Sequence, residues 1–206
     1  MTLQQTSPGG SSASRSASPP ATGSRLDAFA FGPTLPIAAG ILFLAVWIPR
    51  LLRSLWVDEA GVYWMGHEGL IRAVQKTWHW PGQSILYSVI ASLFCFEGSP
   101  FRDTLLRLPS VIGLAFAAYF VYRIGEKRIA EYAGLAAAIL FVFHPNVIDL
   151  ASVARPYALA MAAVSASCWA LDEWVASRSR KHLLYYVVAS ILVIYLHYFF
   201  AVHVRP

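Results

Sequence analysis

Apolar residues fall into six runs after residue 33, at 35–52, 83–96, 105–122, 133–150, 157–174 and 183–204, with charge and proline returning between them. A helix rising 1.5 Å per residue needs about 20 residues to cross a bilayer core, and five of the runs approach that length. The run at 83–96 is too short and predicts a re-entrant or juxtamembrane helix. Between the first two runs, Val62, Met65, Leu70, Val74 and Trp78 recur at roughly helical spacing, with His67, Glu68, Arg72 and Lys76 among them. That pattern predicts a surface helix within an external loop at 54–81. His144-Pro145-Asn146 predicts a kink or an end in the run at 133–150, with Asp149 close to the outer surface. The expected fold class is therefore an all-α polytopic membrane protein.

Residues 1–32 follow another pattern, rich in Ser, Pro, Ala and Gly, with Arg15 and Arg25 the only basic residues. Such a composition cannot bury enough surface to offset chain entropy and predicts a disordered tail. The run at 35–52 is long enough to span and no small-residue cleavage site follows it, which favours an anchor over a cleaved signal peptide. Residues 33–206 then form the membrane domain.

Composition agrees with this class: 57% of residues are hydrophobic, 13% are charged and the mean hydropathy is +0.54. The formal charge of +5 could suggest nucleic acid, but no basic stripe interleaved with aromatics lies on a soluble segment. Orientation explains the charge better. If 83–96 does not cross, the tail, Arg123 to Arg128 and Arg178 to Lys181 all face the cytoplasm. If it does cross, the last two clusters lie outside, against the positive-inside rule. The first arrangement places the chain in the cell (inner) membrane with a cytoplasmic N-terminus. It brings Asp58, Glu59, Arg102, Asp103, Arg107, Arg155, Tyr157, His197 and Tyr198 to one outer face. Cys95 and Cys168 both lie in apolar runs and read as small core hydrophobes.

Several pieces of the chain, in order, read Leu55-Trp56-Val57-Asp58-Glu59-Ala60, Pro81 with Leu86-Tyr87, Leu106-Arg107-Leu108-Pro109-Ser110, Ala154-Arg155-Pro156-Tyr157-Ala158-Leu159 and Tyr195-Leu196-His197-Tyr198. Together they resemble the polytopic GT-C glycosyltransferases, specifically the family 39 and dolichyl-phosphate-mannose protein mannosyltransferase-like group. The resemblance implies a GT-C-type helix bundle with a juxtamembrane helical first loop. It implies sugar transfer from a polyprenyl-phosphate donor to a lipid, glycan or protein acceptor on the extracytoplasmic side, among membrane lipids. It also makes Asp58 the catalytic carboxylate with Glu59 beside it, and implies further spans beyond Pro206. The proline-rich entry usual after the first loop is replaced here by Trp78-His79-Trp80-Pro81-Gly82-Gln83.

The chemistry asks for the same residue types. An acceptor hydroxyl is a poor nucleophile, and a carboxylate that takes its proton contributes roughly 10² to 10⁴-fold. Asp58 is the candidate base. A departing lipid phosphate gains negative charge that a guanidinium fork stabilises, which assigns Arg107 and Arg155, with Tyr157, to the donor phosphate and His197 and Tyr198 to substrate binding. A single displacement would invert the anomeric centre, unlike the paired-carboxylate retaining route.

Each residue also has a plainer role. Asp58 and Glu59 could cap the surface helix, Arg107 could snorkel to headgroups, Arg155 could neutralise one, and His197 could be a core histidine. Trp56, Trp64, Trp78 and Trp80 suit an interfacial belt. Asp58, Glu59, His67 and Glu68 could hold a divalent cation, although no zinc or calcium ligand spacing is present. No glycine-rich phosphate loop suggests a nucleotide sugar. A transporter or lipid flippase would need similar charges but usually carries internal repeats, and none is found. A membrane scaffold would need none of the converging charges.

Overall fold

In the computed structural model, residues 34–80 and 82–197 are described; the expected tail, Tyr198 and the end of the last apolar run lie outside them. The chain divides into two units at Ile37/Ala38, and the helix packing and both candidate sites belong to the second.

The described residues are all-helical, 79% helix without strands. The helices are α1 (Thr34–Leu51), α2 (Val57–Gly66), α3 (Leu70–Trp78), α4 (Ile85–Ser92), α5 (Arg102–Arg128), α6 (Glu131–Val142), α7 (Pro145–Ala151), α8 (Tyr157–Ser177) and α9 (Arg180–Leu196). By length and composition α5 can cross a membrane, and α6 with α7, bent by 62°, forms a second candidate. The bend falls at His144-Pro145, where the proline opens α7 and cannot donate to a preceding carbonyl. The 21 residues of α8 include Asp172 and Glu173 near its end, which lowers its apolar character. Lys127 pairs with both, and Arg128 pairs with Asp172. These contacts lock the ends of α5 and α8 together.

The long helices pack α6 on α5, α5 on α8 and α8 on α9. Small residues set the crossings. A Cβ on Gly113 of α5 would lie 2.8 Å from the Ala158 carbonyl carbon and 2.8 Å from the Leu159 nitrogen of α8. Backbone cannot yield as a flexible side chain can, so Gly113→Ala should destabilise the protein by about 1–3 kcal/mol. Thermal unfolding in detergent would show the lowered midpoint. Gly125 and Gly134 bring α5 and α6 equally close.

The short helices gather at the other end. α4 packs on α2 and α3 and touches α9. Its N-cap Ser84 donates to the Tyr195 carbonyl at 2.8 Å, while Gly66 of α2 abuts Ser92 and Cys95 at its far end. α4 therefore runs from the C-terminal end of α9 to the C-terminal end of α2. The expected single surface helix is two helices. Gly69, at φ +92°, breaks the pattern, in a backbone region that glycine enters freely. The break resets the phase, so Ala73 and Thr77 are buried in α3 while Leu70 and Trp78 face outward.

Two apolar clusters fill the interior. One joins Val62, Tyr87, Ala91, Leu106, Ala154 and Leu196. The other joins Trp47, Leu114, Val147, Ile148, Ala151 and Ala158.

Candidate active site

The chain leaves α1 through a bend at Leu52-Arg53 and enters α2 at Val57, with Asp58 and Glu59 in the first turn, where acidic groups suit the helix dipole. Neighbouring positions on a helix point about 100° apart, so the two carboxylates cannot share an environment. Glu59 turns inward and is 1% exposed. Asp58 turns outward, with its side chain 65% exposed.

Glu59 is held by four donors. Arg107 Nε reaches Oε1 and Nη2 reaches Oε2, each at 2.7 Å. The Ala154 N–H donates to Oε1 at 2.7 Å and the Trp56 N–H to Oε2 at 2.9 Å. Burial pushes the Glu59 carboxyl upward, but the Arg107 hydrogen bond and the Trp56 and Ala154 amides outweigh it and hold the group below its ordinary range. Arg107, fully buried, spends its remaining N–H groups on the carbonyls of Leu51, Arg53 and Ser54. All five guanidinium donors are thus engaged. One ion pair fastens the end of α1, the start of α2, α5 and the segment before α8.

Two expectations are corrected here. Glu59 is not placed to be a catalytic carboxylate, because both oxygens are saturated within the protein. Arg107 is not placed to grip a donor phosphate, because it has no donor left and no surface. The capping alternative describes Glu59, which accepts the N-cap amide of Trp56.

Asp58 belongs to a second, open constellation. Arg155 Nη2 stands 3.0 Å from Asp58 Oδ2, and its Nη1 donates to Gln83 Oε1 at 3.1 Å. Arg155 precedes Pro156, the N-cap of α8, and proline keeps the residue before it out of the helix. Ser110 Oγ donates to the carbonyls of Val153 and Arg155, fixing that segment against α5. Tyr87 hydrogen-bonds Ser110 in turn, and burial drives its phenol far above the ordinary range.

Arg155 lines a cleft of about 230 Å³ together with Gln83, Ser84, Tyr157, Leu196 and His197. The Tyr157 and His197 rings face each other with centroids 5.6 Å apart. Asp58, Arg155, Tyr157 and His197, spread over 140 positions of sequence, meet through this cleft and the ion pair at its edge.

Sequence reasoning assigned no role to Gln83 or Ser84. A signal existed for Ser84, a small polar residue immediately before an apolar helical run, which is an N-cap pattern. No local signal marks Gln83, whose partner lies 72 residues away. Of the residues that could hold a cation, Glu59 is taken by Arg107, and Glu68 pairs with Lys76 at 2.7 Å. Among the described residues no three His, Cys, Asp or Glu side chains form a metal-ligand group.

No family model, curated protein or solved structure matches the chain.

Proposed function

We propose that this protein is a membrane glycosyltransferase that moves a sugar from a polyprenyl-phosphate donor to an extracytoplasmic hydroxyl. The observation that carries this reading is the exposed Asp58 carboxylate joined through Arg155 to a cleft with Tyr157 and His197 on its wall. The motif resemblance, which makes Asp58 the catalytic carboxylate, supports it, and the phosphate role of Arg155 rests on the chemistry of its guanidinium fork.

The membrane placement rests on the outer surface. Phe116 and Tyr119 on α5, Leu140 on α6, Val175 on α8 and Leu184, Ile191 and Tyr195 on α9 are all exposed. A soluble helix puts polar residues on such faces. In this reading α1, α5, α6 with α7, α8 and α9 cross the bilayer and α4 does not. The basic ends of α5 and α9 face the cytoplasm.

Asp58 accepts the proton of the acceptor hydroxyl as its oxygen bonds to the anomeric carbon. The bond from that carbon to the phosphate oxygen breaks, and the electron pair leaves with the phosphate. Arg155, backed by Tyr157, takes up the phosphate charge. A phosphate in the cleft competes for the Arg155 fork and frees Asp58 for proton transfer. Attack opposite to departure inverts the anomeric centre.

The protein in detergent, supplied with radiolabelled polyprenyl-phosphate sugars, should yield a product with the configuration opposite to the donor's, read by NMR of the anomeric proton. Retention, or no transfer from any donor, would remove this reading.

A further inference from the structure

The four tryptophans of the 54–81 segment are not equivalent. Trp56 and Trp78 point outward, 72% and 74% exposed. Trp64 and Trp80 instead face each other across a groove, with ring centroids 6.5 Å apart and planes tilted by 59°. Glu68, Arg72, Gln75, Lys76 and His79 complete its lining, and its volume is about 500 Å³, within the range of small-molecule sites.

The polar groups of the groove are fixed to one another. Lys76 Nζ sits 4.3 Å from the Trp64 ring centroid, a cation–π distance, and donates to Glu68 Oε1 at 2.7 Å and to the Trp64 carbonyl at 2.9 Å. Arg72 donates to Gln75 Oε1 at 3.3 Å. His79 Nδ1 lies 2.8 Å from the Gln75 carbonyl; because a carbonyl only accepts, this nitrogen carries a proton, leaving Nε2 for a ligand hydroxyl.

We infer that this groove binds a neutral glycan. A pyranose offers a face of C–H bonds that packs on an indole, and a rim of hydroxyls that both donate and accept. The groove supplies that complement: indole walls, with a carboxylate, an amide, an imidazole and two cations around them. Against an anionic headgroup stands Glu68, which carries negative charge at the rim and pairs with Lys76, while Arg72, the groove's other cation, bonds the neutral Gln75 amide.

The groove also adjoins the candidate active site. The Gln83 N–H donates to the Trp80 carbonyl at 3.1 Å, so a wall of the groove and a wall of the cleft that holds Arg155 are joined by a hydrogen bond. The glycan is therefore the acceptor chain, held beside Trp80 while its end is presented beside Gln83. Only the word acceptor rests on the transferase reading; the binding itself does not.

The test uses the protein in detergent with a panel of neutral trisaccharides built of glucose, galactose or mannose, read by tryptophan fluorescence and calorimetry. At least one trisaccharide should bind saturably, and Trp80→Ala, at an exposed position, should weaken it by about ten-fold or more. Gln75→Ala should weaken it as well, whereas Trp56→Ala, at an exposed tryptophan outside the groove, should leave it unchanged. Absence of binding across the panel, equal binding by Trp80→Ala, or displacement by short-chain phosphatidylglycerol at lower concentration than the sugar would overturn the inference. Trisaccharide binding without any sugar transfer would sustain the glycan site and remove the transferase reading alone.

Discussion

Arg107→Ala should leave little folded protein, seen as loss of a monodisperse peak and of cooperative thermal unfolding in detergent. Removing one partner of a buried ion pair costs roughly 3–5 kcal/mol because the other is left uncompensated, out of a typical total of about 5–15 kcal/mol. The loss here extends beyond Glu59. Carbonyls of Leu51, Arg53 and Ser54 would also lose their donor. For the same reason an apolar replacement of both partners, often harmless elsewhere, should not rescue the fold. Arg107→Lys should recover only part of the stability, since an ammonium offers three donors and no planar fork. Wild-type stability in Arg107→Ala would refute the structural role.

The pair also sets an acid limit. The Glu59 carboxyl is held below its ordinary value of 4.5, so its contribution is fully present above that pH and is lost as pH falls through the depressed value. Glu59→Gln should flatten that acid limb of the stability profile.

Asp58→Asn should have the opposite signature: sugar transfer falls by about 10² to 10⁴-fold while folding is unchanged. Asparagine keeps the shape and a hydrogen bond to Arg155 but cannot take a proton. An exposed ion pair contributes only about 0–1 kcal/mol, so unfolding should barely move. The contrast between adjacent residues is itself diagnostic, with Asp58→Asn affecting turnover and Glu59→Gln affecting stability. Equal transfer by Asp58→Asn and wild type would dismiss Asp58 as the base. Loss of stability in Asp58→Asn would make it a structural group.

Much of the candidate site was legible because its residues are chemically costly where they stand. Asp58, Arg155 and His197 interrupt or flank apolar runs, and the short run at 83–96 implied that the groups on either side of it stay on one face. The surface helix was legible only in part: apolar spacing predicted helix, but Gly69 breaks it and α3 buries Ala73 and Thr77, small residues that carry little periodic signal.

By itself, the sequence determined that this chain is helical, where its apolar segments lie and which polar residues border them, because those properties depend on neighbours a few positions away. Tertiary structure alone decided which member of the acidic doublet is buried. Glu59 is claimed by Arg107, 48 residues on, and by the Ala154 amide, 95 residues on. Two adjacent carboxylates are locally almost equivalent, and only the packing of α5 and the start of α8 against α2 distinguishes them.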